Sequence, residues 1–125
     1  MGVLGINHIA FRTPDPGRLR AFYEELLAAD SLVGAHAPLR AGASLLVFFA
    51  SDTPAGGAGA DPDEIAFDVD RQGFDDVLTR ARGMNLAVRG PVDHTSRSRG
   101  FYVSDPDGRR VEVIHEDRGV FWDED

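Results

Sequence analysis

The chain repeats itself, and that constrains its fold more than any other property of its 125 residues. His8-Ile9-Ala10-Phe11 returns as Glu64-Ile65-Ala66-Phe67. Each copy alternates as side chains do along a β-strand, where successive residues face opposite ways. A helix-spaced set follows both times: Leu19, Phe22, Tyr23 and Leu26, then Phe74, Val77, Leu78 and Ala81. Spacing of i, i+3, i+4 and i+7 gathers each set into one apolar stripe. Asp15-Pro16 offers the first helix a side-chain cap and a first residue already bent for the turn. Gly83 is the expected left-handed stop of the second helix. Each half closes on a Gly-led strand, Gly42 to Phe49 and Gly108 to His115, with Leu45-x-Val47-Phe48 answering Val111-x-Val113-Ile114.

Each half therefore reads strand, helix, further strands, with the helix as the connection that lets flanking strands join one sheet. The second half has room for three strands after its helix, near 86–90, 99–104 and 109–116. The first half is shorter there, so its middle strand, within Leu32 to Arg40, is abbreviated. Ser51 to Pro62, rich in Gly, Ala, Pro and Asp, reads as a linker. The fold class expected is α+β in a single domain: a first module over 1–50, the linker over 51–62 and a second module over 63–125. The acidic end reads as a solvated tail, except that Phe121 and Trp122 within it are expected to dock on their own domain.

Composition narrows the chemistry. All 13 basic residues are Arg, and there is no Cys. That excludes disulfides, thiolate nucleophiles, Cys-based zinc sites, lysine Schiff bases and the phosphate loop ending in Gly-Lys-Ser/Thr. The net charge of −8 repels a phosphate backbone, so nucleic acid is not an expected partner. No apolar run is long enough to span a membrane, and no basic stretch leads into a signal-like segment, so the expected location is cytoplasmic. A cationic small molecule suits the overall charge.

Taken in order, Asn7-His8-Ile9-Ala10-Phe11, Ala21-Phe22-Tyr23-Glu24-Glu25-Leu26-Leu27, Glu64 to Val69, Gly90-Pro91-Val92-Asp93-His94 and Phe101 to Val113 resemble the vicinal oxygen chelate superfamily. That superfamily includes glyoxalase I, extradiol dioxygenases, fosfomycin-resistance enzymes and bleomycin-resistance proteins. The resemblance implies two paired βαβββ modules forming a curled sheet around a cleft, with the first module abbreviated. It implies metal ligands from the first strand of each module and the last strand of the second, here His8, Glu64 and Glu112. A further carboxylate that glyoxalase I carries on the last strand of its first module is replaced by Leu46. Metal-dependent relatives usually have His where Glu64 stands.

One imidazole and two carboxylates suit a hard or borderline divalent cation, Fe2+, Mn2+, Ni2+, Mg2+ or Zn2+, with open positions for a substrate. Tyr102 and His94 resemble the pocket Tyr and His of extradiol dioxygenases, and His titrates in the range that suits an acid or base. A homodimer, in some members formed by exchanging modules, is the resemblance's expectation.

The residues themselves point to the same places. Asp105-Pro106-Asp107-Gly108 is a turn signature that sets the register of the strand after it. Glu112 then shares a face with Arg110 and Ile114, opposite Val111, Val113 and His115. His8 lies among Ile6, Ile9 and Ala10, which implies burial, and a buried unpaired group is costly unless something such as a metal satisfies it. His36 and His115 are not site candidates, and Arg97 and Arg99 chiefly balance the acidic surface.

Two functions stay open. One is a metal-dependent enzyme acting on a small oxygenated substrate, ring-cleaving-dioxygenase-like or glyoxalase-like. The other is a metal-free small-molecule binding protein of the bleomycin-resistance type. Glu64, as ligand or as solvated turn residue, divides them.

Overall fold

A computed structural model describes residues 2, 6–34, 37–52 and 64–117. The first module runs β1 (His8–Thr13), α1 (Pro16–Leu27), β2 (Asp30–Ser31), β3 (Leu39–Ala41) and β4 (Ser44–Ala50). The second runs β5 (Glu64–Asp68), α2 (Arg71–Gly83), β6 (Arg89–Thr95), β7 (Ser98–Ser104) and β8 (Arg110–Glu116). Each module makes one four-stranded sheet with the same connectivity, β1-β4-β3-β2 and β5-β8-β7-β6, and neither closes into a barrel. The first and last strands of each pair in parallel, which requires the crossover helix between them. This is the paired-module α+β arrangement implied by the internal repeat.

Local chemistry sets the helix ends. Asp15 Oδ1 accepts the Arg18 N–H at 3.1 Å, and Asp70 Oδ1 accepts the Gly73 N–H at 2.7 Å, so each helix starts on a carboxylate cap. The second helix ends at its glycine, but not through a left-handed turn there. Gly83 stays helical, and the left-handed residue is Asn85, with φ 61°. An Asn tolerates that conformation because its short polar side chain bonds locally.

Each sheet packs one face on its helix. Phe11, Leu39, Leu46 and Phe48 meet Leu19, Phe22, Tyr23 and Leu26, while Phe101, Val103, Val111 and Val113 meet Phe74, Val77 and Ala81. The two layers join in one core, with the Tyr23 ring 5.0 Å from Phe11 and 6.2 Å from Phe67. Tyr23 also crosses between modules, donating its hydroxyl to Asp105 Oδ2 at 2.6 Å. Asp105 accepts as well from the Asp107 and Arg109 N–H groups and from the Arg109 guanidinium, so the turn before β8 is pinned to α1.

The abbreviated middle strand expected within Leu32 to Arg40 is β3, which runs from Leu39 to Ala41; a two-residue β2 at Asp30–Ser31 precedes that range, so the element order of the module survives. In the second half the strand expected near 86–90 begins only at Arg89; Leu86 and Val88 pack on the core instead. His36, most of the linker, and Phe121 and Trp122 lie outside the described residues. Among the described residues no helix is long and apolar enough to cross a membrane.

Candidate active site

Ladder register builds the open face of the second sheet. Glu64 lies beside Arg110, and Ala66 beside Glu112, across β5 and β8. Tyr102 lies beside Glu112, and Ser104 beside Arg110, across β7 and β8. Residues opposite each other in a ladder share a face, so Glu64, Arg110, Glu112, Tyr102 and Ser104 stand together, away from α2.

Glu112 is only 5% exposed. Its Oε2 lies 2.8 Å from His94 Nε2, and the Tyr102 hydroxyl lies 3.4 Å from the same nitrogen. An Nε2–H donated to Glu112 offsets the cost of burying its charge. His94 reaches this point from an irregular stretch of β6, where the pairing with β7 shifts between Asp93 and Thr95. Burial, then the charge and hydrogen bond of Glu112, hold the Tyr102 phenol above its ordinary pKa, so it stays protonated as a donor.

Gly100 makes room for this cluster. A Cβ there would overlap the Glu112 carboxylate and press on His94 Nε2. Beside the cluster opens a cavity of about 380 Å³, lined by Glu64, Arg89, Tyr102, Ser104, Gly108 and Arg110. Arg110 Nη1 stands 3.6 Å from Glu64 Oε1.

Residues 5–113 match the family model described as the Glyoxalase/Bleomycin resistance protein/Dioxygenase superfamily. The chain belongs to that superfamily. Solved structures agree on the fold. Fosfomycin resistance protein FosX from Mesorhizobium loti superposes with a TM-score of 0.75 at 20% identity, covering 97% of this chain and 99% of that one. Lactoylglutathione lyase from Agrobacterium tumefaciens gives 0.73 at 20% identity, covering 99% and 100%. Oxidase ChaP-H1 gives 0.75 at 23% identity, covering 94% and 99%. No curated protein matches the sequence. The glyoxalase/bleomycin resistance/dioxygenase superfamily holds both metalloenzymes and resistance proteins, and the residues must say more.

Of the five site residues expected in this superfamily member, the structure gathers Glu112, Tyr102, His94 and, one register step away, Glu64. His8 is elsewhere. It lies on β1 of the other sheet, exposed, with Nδ1 2.8 Å from Asn7 Oδ1. The apolar neighbours do not bury it as expected: Ile6 is itself 71% exposed, and among the described residues no helix packs on the face of the first sheet away from α1. Register also moves the family's further carboxylate position. His8 pairs with Leu45 and Ala10 with Val47, so Val47, not Leu46, corresponds to Glu112. Leu46 points into the core.

His115 points to the helix side, within 3.2 Å of the Val69 carbonyl and 3.0 Å of Asp117. Arg97 and Arg99 line a smaller cavity there of about 210 Å³, apart from Tyr102.

The donor types suit a divalent cation, but their placement within one chain does not complete a site. Among the described residues no three His, Asp or Glu side chains come together as a metal set. Glu112 is engaged by His94 and Glu64 by Arg110. Sequence reasoning missed Gly100, Arg89 and Ser104. A glycine inside an apolar strand was the available signal for Gly100, since it marks a close approach.

Proposed function

We propose that the chain is a divalent-metal-dependent enzyme acting on a small oxygenated substrate held over the open face of the second sheet, by dioxygenase-like or glyoxalase-like chemistry. The observation that supports this most is the Glu112–His94–Tyr102 cluster: a buried carboxylate, an imidazole and a protonated phenol converging beside a substrate-sized cavity.

The metal ligands in this reading are Glu112, Glu64 and His8, with His8 supplied by a second copy of the chain in a homodimer. Support comes from the exposure of His8 and from two separate sheets, in which β1 and β5 stand at an edge among the described residues. Fe2+, Mn2+, Ni2+ or Zn2+ held there would polarise a carbonyl or catecholate oxygen. His94 passes a proton to or from the substrate, with Glu112 orienting the ring. Tyr102, kept protonated, donates to a substrate oxygen.

The competing reading is a metal-free binding protein. The Glu64–Arg110 ion pair favours it, since a carboxylate held by Arg is less available to a metal.

Metal titration of the chelator-treated protein separates them. The enzyme reading expects a dimer whose melting temperature rises with Fe2+, Mn2+, Ni2+ or Zn2+, a rise lost in Glu112→Gln and in His8→Ala. It also expects Glu64→His to tighten binding. A melting temperature indifferent to every divalent cation overturns it in favour of the binder.

A further inference from the structure

The cavity beside the acid–base cluster is lined by two guanidinium groups in a chain whose net charge is −8. That contrast runs against the cationic ligand the overall charge suggested. All four strands of the second sheet meet there. Arg89 on β6 pairs with Tyr102 on β7, Ser104 on β7 pairs with Arg110 on β8, and Arg110 pairs with Glu64 on β5. The two arginines thus flank β7 from either side, two residues out of step, with backbones about 12 Å apart at the usual strand spacing and rise. Long side chains at that separation converge on one anionic group between them, and the planar guanidinium fork matches the two oxygens of a carboxylate.

The pair is not saturated. Arg110 has one partner, Glu64, at 3.6 Å, whereas no ion pair or hydrogen bond engages the Arg89 side chain among the described residues. Ser104 adds a hydroxyl to the lining and Tyr102 a phenol, both able to donate to an oxyanion.

We propose that this cavity takes the oxyanion of a small organic acid, with Arg89 and Arg110 as the residues that hold it and Glu64 as the built-in competitor for Arg110. The substrate class is then a carboxylate or phosphoryl compound, not a cation. This rests on the reading of the same face as a substrate cleft, but it needs no bound metal.

The experiment uses the chelator-treated full chain, titrated with benzoate, phenylphosphonate, benzyl alcohol and benzylammonium and read by amide NMR shifts. The acids are expected to bind about tenfold more tightly than the alcohol or the cation, with shifts centred on Tyr102 to Arg110. Whichever of benzoate and phenylphosphonate binds more tightly identifies the oxyanion. Arg89→Gln weakens that binding about tenfold, and Glu64→Gln strengthens it several-fold by releasing Arg110. Equal binding of acid and cation, or unchanged affinity in both Arg89→Gln and Arg110→Gln, overturns the proposal. The two readings fail separately. Under the metal reading Glu64→Gln weakens cation binding, while here it tightens anion binding, so each titration reports on its own claim.

Discussion

The two modules share a backbone plan and differ in what they place on it. On the open face of the second sheet, β5 and β8 present Glu64, Arg110 and Glu112, and β7 adds Tyr102 and Ser104. At matching places the first sheet presents His8, Leu45 and Val47. Nothing there corresponds to Tyr102, because β3 is three residues long and its pairing with β4 stops at Leu39–Leu46, one residue short of Val47. The seven-residue β7 extends past that point. The full-length β7 carries Tyr102 and Ser104 to the open face beside β8, and the shortened β3 carries no counterpart.

The joint between modules is as lopsided as the faces. Tyr23 of α1 reaches Asp105 in the turn before β8, but the residue of α2 matching Tyr23 is Leu78, and the turn before β4 holds Ala41-Gly42-Ala43 with no carboxylate. The cross-brace runs one way only. Asp105→Ala should therefore give the largest loss of stability, about 3–5 kcal/mol in urea unfolding, by leaving the buried Tyr23 hydroxyl and the Asp107 and Arg109 N–H groups without their acceptor. Tyr23→Phe should cost less, about 1–2 kcal/mol, since it removes one hydrogen bond.

The two variants also part with pH. Burial first, and then the charge of Asp105, hold the Tyr23 phenol far above its usual value. Above about pH 10 the unfolded chain releases this proton and the folded chain keeps it. Stability from this group is thus complete below that pH and falls above it by about 1.4 kcal/mol per pH unit. Tyr23→Phe should flatten the alkaline limb by that slope. An unchanged limb would mean that the brace is not buried in solution.

Gly100→Ala tests the second face alone. The added methyl meets the Glu112 carboxylate and His94, and relieving that contact should cost about 1–3 kcal/mol. More telling is the site: the 2.8 Å His94–Glu112 pair must rearrange around the methyl, which should move the His94 ring signals in NMR at fixed pH. Unmoved His94 signals would show that the face is loosely packed and that the glycine is incidental.

How much of this was visible in the sequence depended on the range over which each signal acts. Strands, helices and caps announce themselves within a few residues, so the repeat, Asp15 as a cap and the Asp105–Gly108 turn were all legible. A two-residue strand such as β2 has no period to read. Matching Leu45-x-Val47-Phe48 to Val111-x-Val113-Ile114 by similarity slipped one residue, enough to turn Leu46 from a core residue into a supposed site position. Only the parallel pairing of β1 with β4 corrects it. Apolar neighbours likewise suggested that His8 was buried, but burial depends on whether anything covers that face, and sequence proximity does not report it.

The smallest expected effect comes from giving the first face what it lacks. Val47→Glu puts a carboxylate beside His8 in the geometry that relates Glu112 to Glu64, on a half-buried position with no His94 or Tyr102 to receive it. The metal-free protein should lose about 1 kcal/mol for burying part of an unpaired charge. If His8 of one copy faces Glu64 and Glu112 of another, the new carboxylate becomes an added donor, and divalent cations should bind roughly tenfold more tightly despite the lower stability. The sign of the affinity change decides the matter, because a carboxylate remote from the cation costs stability and returns nothing. Stability lost without tighter binding would confine the metal to the second module and leave the first as support alone.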